Sequence, residues 1–425
     1  MGKSIQIADV YNFTTRFETQ KKIAPLKNFR NIFITGKDGH VVGISILGDF
    51  ETMSAVNTLP YLRWVRIDGE LKKIIGLSGL KQLEELTLAS NKIEYIEKLD
   101  LPKLRYLDLY RNNLTSVDPL SSLGELAYLD VSVNKVSDIA PVNNLSKLTH
   151  LNFRLNNAKD ITLSSSLKNL KQLNAAGRTV TSVTFQALPA LESVNLTNQP
   201  IESVSGLKKL KNIKKLSLLG SSLNQIDLSG LAMLEEFSIS SEKLNATENL
   251  KNIETLKKLK KLWVIDSAIY NVGSINRANN LIYLNMSGNK ITSSNGLDKL
   301  GKLEELDLSN NRIKKIQGLD HLKNLTLLDL SNNPIEVFEG VGSPELSTLD
   351  LSNTHIATIK GFSALRGLKR LELGSTKIRN IADYDEYLSG RDSLLYIYLS
   401  GNGLSFNDYR DTILLLNKNK VNIVF

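Results

Sequence analysis

Chemistry needs particular side chains close together, and this sequence offers few of them. Its four histidines, His40, His150, His321 and His355, are scattered along the chain with no metal-ligand spacing. There is no cysteine, which removes thiolate metal sites, cysteine nucleophiles and disulfides together. Gly340-Val-Gly342-Ser-Pro lacks the further glycine that a phosphate-cradling loop requires. His150 could pair with Asp130 or Asp108 for acid–base work, but no nucleophile accompanies them. No catalytic residue, no metal and no cofactor is expected.

What remains is recognition chemistry. Tyr106, Tyr128 and His150 follow one another at intervals of 22 residues. Trp64, Arg66, Tyr110, Arg111 and Arg154 fall in the same frame. Tyr, Trp and Arg are the residue types that dominate binding hot spots. Trp263 and Tyr283 form a second candidate cluster. Against these stands the plainer reading that single surface aromatics are normal and favoured in strands. Tyr396 and Tyr398 are read as covering the end of the array. The acidic series Asp307, Asp329, Asp350 and Glu372 could hold a cation or a basic partner, yet Leu-Asp-Leu-Ser is ordinary repeat wording. The lysines at 208–215 and 257–261 could flank phosphates, but aromatic residues scarcely interleave them. The net charge of +9 is therefore read as lysine in solvated repeat slots, and nucleic acid is disfavoured as a partner.

The elements that must position these residues repeat. Leu107-Asp-Leu109-Tyr-Arg-Asn112-Asn-Leu114 is followed by apolar residues in steps of three, at Val117, Leu120, Leu123 and Leu126. The same frame fits from Leu306 to Leu325. Strand openers run Ile44, Val65, Leu86, Leu107, Leu129, Leu151, Leu173, Val194, Leu216, Phe237, Leu262, Leu284, Leu306, Leu328, Leu349, Leu371 and Ile397. Nearly every step is 21 or 22 residues; Phe237 to Leu262 takes 25 and Leu371 to Ile397 takes 26. Units of this size pack only on their neighbours, so a chain of 425 residues needs no single large core.

The L-x-L pair alternates as a strand does, both leucines inward and the flanking residues outward. Seventeen strands stacked ~4.8 Å apart would run roughly 80 Å. The apolar steps of three suit a short 3₁₀ or irregular return. The expected fold class is thus an α/β repeat solenoid, a horseshoe with a parallel concave β-sheet and a 3₁₀ or irregular convex side. The candidate columns above would then face outward from the concave sheet.

An asparagine recurs five residues after the opener, at Asn91, Asn112, Asn134, Asn156, Asn289, Asn311, Asn333 and Asn402. A buried amide must find partners, and stacked turns supply backbone groups. Arg178, Gln199, Ser221, Glu242 and Ser267 break the series, with Thr354 and Thr376 as milder departures. Loosened or re-routed turns are expected there, with the 25-residue unit bulging outward.

At Leu303-Glu-Glu-Leu-Asp-Leu-Ser-Asn-Asn-Arg-Ile313, Leu325-Thr-Leu-Leu-Asp-Leu-Ser-Asn-Asn-Pro-Ile335 and Ser137-Asp-Ile-Ala-Pro-Val-Asn-Asn-Leu145 the chain resembles the 22-residue class of leucine-rich repeats. Bacterial internalins and the small eukaryotic phosphatase-regulator class share it. The resemblance spans roughly residues 40 to 405. It implies a non-catalytic scaffold that binds another protein, some members being bacterial surface or secreted factors that engage a host. A glycan- or nucleic-acid-binding module using the concave aromatic and basic residues is the alternative.

The expected division is a cap at 1–40, repeats at 41–405 and a second cap, helix plus strand, at 406–425. Phe29 to Ile34 with Lys37-Asp-Gly-His40 reads as a hairpin, and 407–416 as a helix with an acidic first turn. With both ends capped, the folded unit is expected to be complete and monomeric. No stretch approaches a membrane span. As written there is no signal peptide, which reads as cytoplasmic; if Met1-Gly2 is an added start, a secreted or cell-surface protein is expected instead.

Overall fold

Alternation of buried and exposed residues makes a strand only where neighbours can bury the inward set, and here each repeat offers that set to the next. A computed structural model describes residues 32–48, 51–358, 362, 365–378, 394, 396–404, 407, 408, 410, 414 and 421–424. A strand covers every one of the expected openers from Ile44 to Ile397. All but the first, Val41–Gly48, begin at the residue before the opener, which is buried, as in Tyr106–Asp108 around Leu107. The chain divides into two compact units, Met1–Ala175 and Ala176–Phe425.

In the first unit, Ile32–Thr35 pairs antiparallel with Val41–Gly48, the hairpin closing through residues 36–40. Parallel strands follow at Trp64–Gly69, Glu85–Thr87, Tyr106–Asp108, Tyr128–Asp130, His150–Asn152 and Gln172–Asn174. The register never slips: Leu86, Leu107, Leu129, Leu151 and Leu173 form one buried row. The return side carries 3₁₀ turns at Ser54–Thr58, Asp118–Leu120 and Ala140–Asn144.

In the second unit the parallel series runs from Ser193–Asn195 to Asn422–Val424. Its return side has short parallel pairs, Ser182–Phe185 with Ser203–Ser205 and Ile226–Asp227 with Leu250–Lys251. The 25-residue repeat takes up its extra length on that side, as 3₁₀ turns Thr247–Asn249 and Ile253–Thr255 flanking Leu250–Lys251. Residues 1–31 and most of 407–416 lie outside the described residues, so the expected N-terminal segment and C-terminal helix are not described. Among the described residues no helix is long and apolar enough to cross a membrane.

The buried asparagines bind as their chemistry requires. Asn112 Oδ1 accepts from Ile93 N at 2.9 Å in the preceding turn, and its Nδ2 donates to Leu88 O at 2.9 Å and Leu109 O at 3.0 Å. Asn134, Asn289, Asn311 and Asn333 repeat the pattern. Where the series breaks, the turns are re-routed but the sheet is not loosened. Gln199 is buried and its Oε1 accepts from Val180 N at 2.8 Å, the bond an asparagine would make. Ser221 Oγ donates to Ser240 O, and Ser267 Oγ accepts from Ser241 N. Arg178 and Glu242 are exposed, as burial of an unpaired charge forbids otherwise. The strands of this stretch, Lys215–Leu218, Glu236–Ile239 and Lys261–Val264, are four residues long. Of the two outcomes expected for these turns re-routing is the one found, and the ladder runs on to Leu218, Ile239 and Val264, which pair in register.

Candidate functional site

Strand pairing lays the solvent side of the first unit's sheet out in columns. One column holds Gly43, Trp64, Glu85, Tyr106, Tyr128 and His150 in register. The rings of Tyr106 and Tyr128 stack with centroids 4.4 Å apart and planes 7° from parallel. His150 continues the series, 6.2 Å from Tyr128 and tilted by 34°. All three are half-buried. Burial, and next the Asp108 carboxylate, push the Tyr106 phenol's pKa up, so it stays a neutral donor.

Trp64 points elsewhere. A Cβ on Gly43 would lie 2.0 Å from its Nε1, so the indole covers that glycine on the adjacent strand. Glu85 then separates it from Tyr106. Burial raises the Glu85 carboxyl above its ordinary pKa, and the neighbouring Glu84 adds to that.

The second column holds Arg66, Asp108, Asp130 and Asn152. Arg66 Nε donates to Asp68 at 2.7 Å. Asp130 is buried and fully engaged: Oδ1 accepts from Ser132 N and Oγ, and Oδ2 accepts from Asn152 Nδ2 at 2.7 Å. Asp108 accepts from Tyr110 N at 2.9 Å. Its pKa is pushed up to about 6, first by burial and then by the Asp130 carboxylate, against the lowering effect of that amide. His150 is engaged too. Thr149 Oγ1 spends its proton on Ala127 O, so it accepts from His150 Nδ1 at 2.8 Å. Burial, then Lys171, lowers the histidine's pKa. Asp130 and the Nδ1 of His150 are thus each engaged with other groups.

Tyr110, Ser132 and Arg154 make the third column, and past them lies a row whose signal was present in the sequence but not used. In repeat after repeat the residue before the buried polar residue of the turn (Asn, Ser or Thr) has positive φ: Asn310, Asn332, Asn353, Gly220, Gly288 and Gly401. Asn and Gly tolerate that region. In three consecutive turns of the first unit the slot holds Arg111 (φ 55°), Val133 (φ 56°) and Leu155 (φ 54°). A β-branched residue there is a genuine outlier. Leu155 is 43% exposed, Arg111 is exposed and Val133 half-buried, so their side chains are not part of the core.

In the second unit Trp263 and Tyr283 do meet, ring centroids 4.9 Å apart and tilted by 40°. The acidic column has a structural explanation. Asp307, Asp329 and Asp350 each accept from the backbone N–H of the serine two residues on, at 2.8–2.9 Å. Such a carboxylate closes its own turn. Among the described residues no group of three His, Asp or Glu could hold a metal. The lysine runs are partly paired within the chain, Lys214 with Glu192 and Lys215 with Glu236. At the far end Arg370 lies 4.5 Å over the Tyr398 ring.

A family model described as leucine-rich repeats, two copies per match, fits residues 81–122, 279–321 and 301–340. No curated protein matches the sequence. Solved structures of similar fold include the functional domain of InlJ from Listeria monocytogenes, 21% identical over 85% of this chain and 73% of that one, TM-score 0.57. YopM from Yersinia enterocolitica is 17% identical over 94% and 88%, TM-score 0.64. The Toll–Spatzle complex of Drosophila is 19% identical over 81% and 51%, TM-score 0.65. With its 21- to 22-residue period, its parallel ladder and its stacked asparagines, the chain is built as a leucine-rich-repeat solenoid, similar in fold to the internalin domain.

Proposed function

We propose that this chain is a non-catalytic scaffold that binds another protein across the solvent side of its first unit's sheet. The observation that carries this reading is the Tyr106–Tyr128–His150 ladder, three half-buried rings in consecutive turns of a sheet whose backbone is already paired. Aromatic rings with one apolar face and a polar tip are what binding hot spots use. The row Arg111, Val133 and Leu155 supports it. Each bulky residue at positive φ costs roughly 1–2 kcal/mol. Strain kept at an exposed position is the mark of a functional constraint.

We infer a protein rather than a nucleic acid as the partner; the pairing of Lys214 with Glu192 and of Lys215 with Glu236 supports this, since it takes two lysines of the second unit's face out of any phosphate site. The Toll structure is a complex with Spatzle, which supports a protein partner for this fold. The resemblance of the repeat wording to that of internalins extends the proposal to a bacterial protein acting at a surface or on a host.

The test is a pull-down with two baits, the natural chain and Tyr106→Ser/Tyr128→Ser. Trp64 is left intact because it covers Gly43. A protein enriched only by the natural bait supports the reading. The same protein on both baits moves the site elsewhere, and no protein on either removes the scaffold reading.

A further inference from the structure

We propose that the second unit carries a separate binding site for a neutral saccharide, one pyranose ring stacked on Trp263 above a floor of hydroxyl and amide groups. Asn195, Ser217, Ser238 and Trp263 stand on four successive strands in one column. Small side chains next to a large flat one leave a recess of about 210 Å³, bounded also by Ser193, Lys215 and Glu236. Sites for drug-sized ligands run ~300–1,000 Å³. This recess therefore suits a single ring rather than a folded peptide segment.

The floor has a defined hydrogen-bond polarity. Thr197 Oγ1 donates to Asn195 Oδ1 at 2.7 Å, so its contact with Ser217 Oγ at 2.9 Å must be one in which it accepts. Ser238 Oγ in turn donates to Ser217 Oγ at 2.8 Å. Every proton in the relay Ser238→Ser217→Thr197→Asn195 is thereby assigned. The relay ends in an open acceptor, the lone pairs of Ser238 Oγ, and an open donor pair, Asn195 Nδ2. The two ends are two strand spacings apart, ~10 Å.

A sugar hydroxyl both donates and accepts, and a pyranose presents several of them round a ring with an apolar C–H face. That face matches the indole; Tyr283 buttresses the indole from the next strand. The charges that line the recess, Lys215 and Glu236, pair with each other at 3.1 Å, so its lining favours a neutral ring over an anionic one.

The experiment is ligand-observed saturation-transfer NMR on the full chain with short oligomers of glucose, galactose, mannose and N-acetylglucosamine at millimolar concentration. A Gly-Ser-Tyr tripeptide is the control. The expected result is transfer to one face of a ring in at least one sugar, lost in Trp263→Ala and weakened roughly tenfold in Ser238→Ala, the loss of one hydrogen bond in a small site. Trp263→Phe keeps a flat apolar face and should retain part of the signal, which separates loss of the platform from loss of the fold. No transfer to any sugar overturns the proposal. So does equal transfer in Trp263→Ala, or transfer to the tripeptide alone.

Discussion

The asparagine at the turn is the residue on which each repeat's backbone accounting depends. Removing its amide in Asn134→Ala would strand Leu114 N in a dry interior and take one of two amide donors from Leu109 O and Val131 O, which Asn112 and Asn156 still serve. A buried group left unpaired costs ~1–3 kcal/mol. With one group stranded and two carbonyls each losing a second donor, the expected loss is about 1–3 kcal/mol, measured by urea denaturation. Asp108 gives a second prediction at this scale. Its pKa is raised in the folded chain to about 6 from an ordinary 3.8, so between those values the folded state holds the proton more tightly than the unfolded state. Its contribution to stability is thus greatest below the ordinary value and is lost as pH rises through about 6. Asp108→Asn keeps the acceptor for Tyr110 N and removes the charge. Its melting temperature should exceed that of the natural chain at pH 7 to 8 and converge with it near pH 4; an equal gap at both would contradict the burial of this carboxylate. The columns that hold these residues were legible from a period of 2 within a period of 22. Ring direction was not: Trp64 shares Tyr106's column, and only the room left by Gly43 turns it away.

Among elements, the turn with positive φ separates scaffold from site. Asn is the residue at the matching slots of Asn310, Asn332 and Asn353. Val133→Asn should therefore stabilise the chain by about 0.5–1 kcal/mol, the relief of a strained αL residue. If the row touches the partner, the same change should weaken binding; a variant both stabler and equally tight would reduce the row to a structural curiosity. The strand positions and the 3₁₀ returns were legible because apolar residues recur in steps of two and three. The fate of the irregular repeats was not, because a missing asparagine does not reveal that Gln199 reaches the same amide or that Ser240 and Ser267 hydroxyls take over neighbouring turns. The hydroxyl relay beneath Trp263 was hidden for the same reason, since it depends on register across four strands.

At the scale of the whole molecule, stability is a sum of repeats and of contacts between neighbours. Surface charge follows the same rule. Arg63–Glu84, Lys147–Glu125 and Lys214–Glu192 each join adjacent turns, all at largely exposed positions. Exposed pairs contribute ~0–1 kcal/mol each, so they align turns more than they hold them. Because the sheet is continuous through the irregular stretch, hydrogen exchange in Lys215–Leu218, Glu236–Ile239 and Lys261–Val264 should be as slow as in Glu305–Asp307 and Leu327–Asp329. Faster exchange in the first three would show that hydroxyls do not replace the asparagine ladder. The central claim is that the first unit's aromatic ladder binds a protein. Its most direct test is the Kd of the captured partner for the natural chain, Tyr128→Ala and Trp263→Ala, measured by calorimetry. The account predicts a loss of ~2 kcal/mol or more for Tyr128→Ala, about thirtyfold in Kd, and no change for Trp263→Ala. Equal affinity of Tyr128→Ala and the natural chain would contradict it.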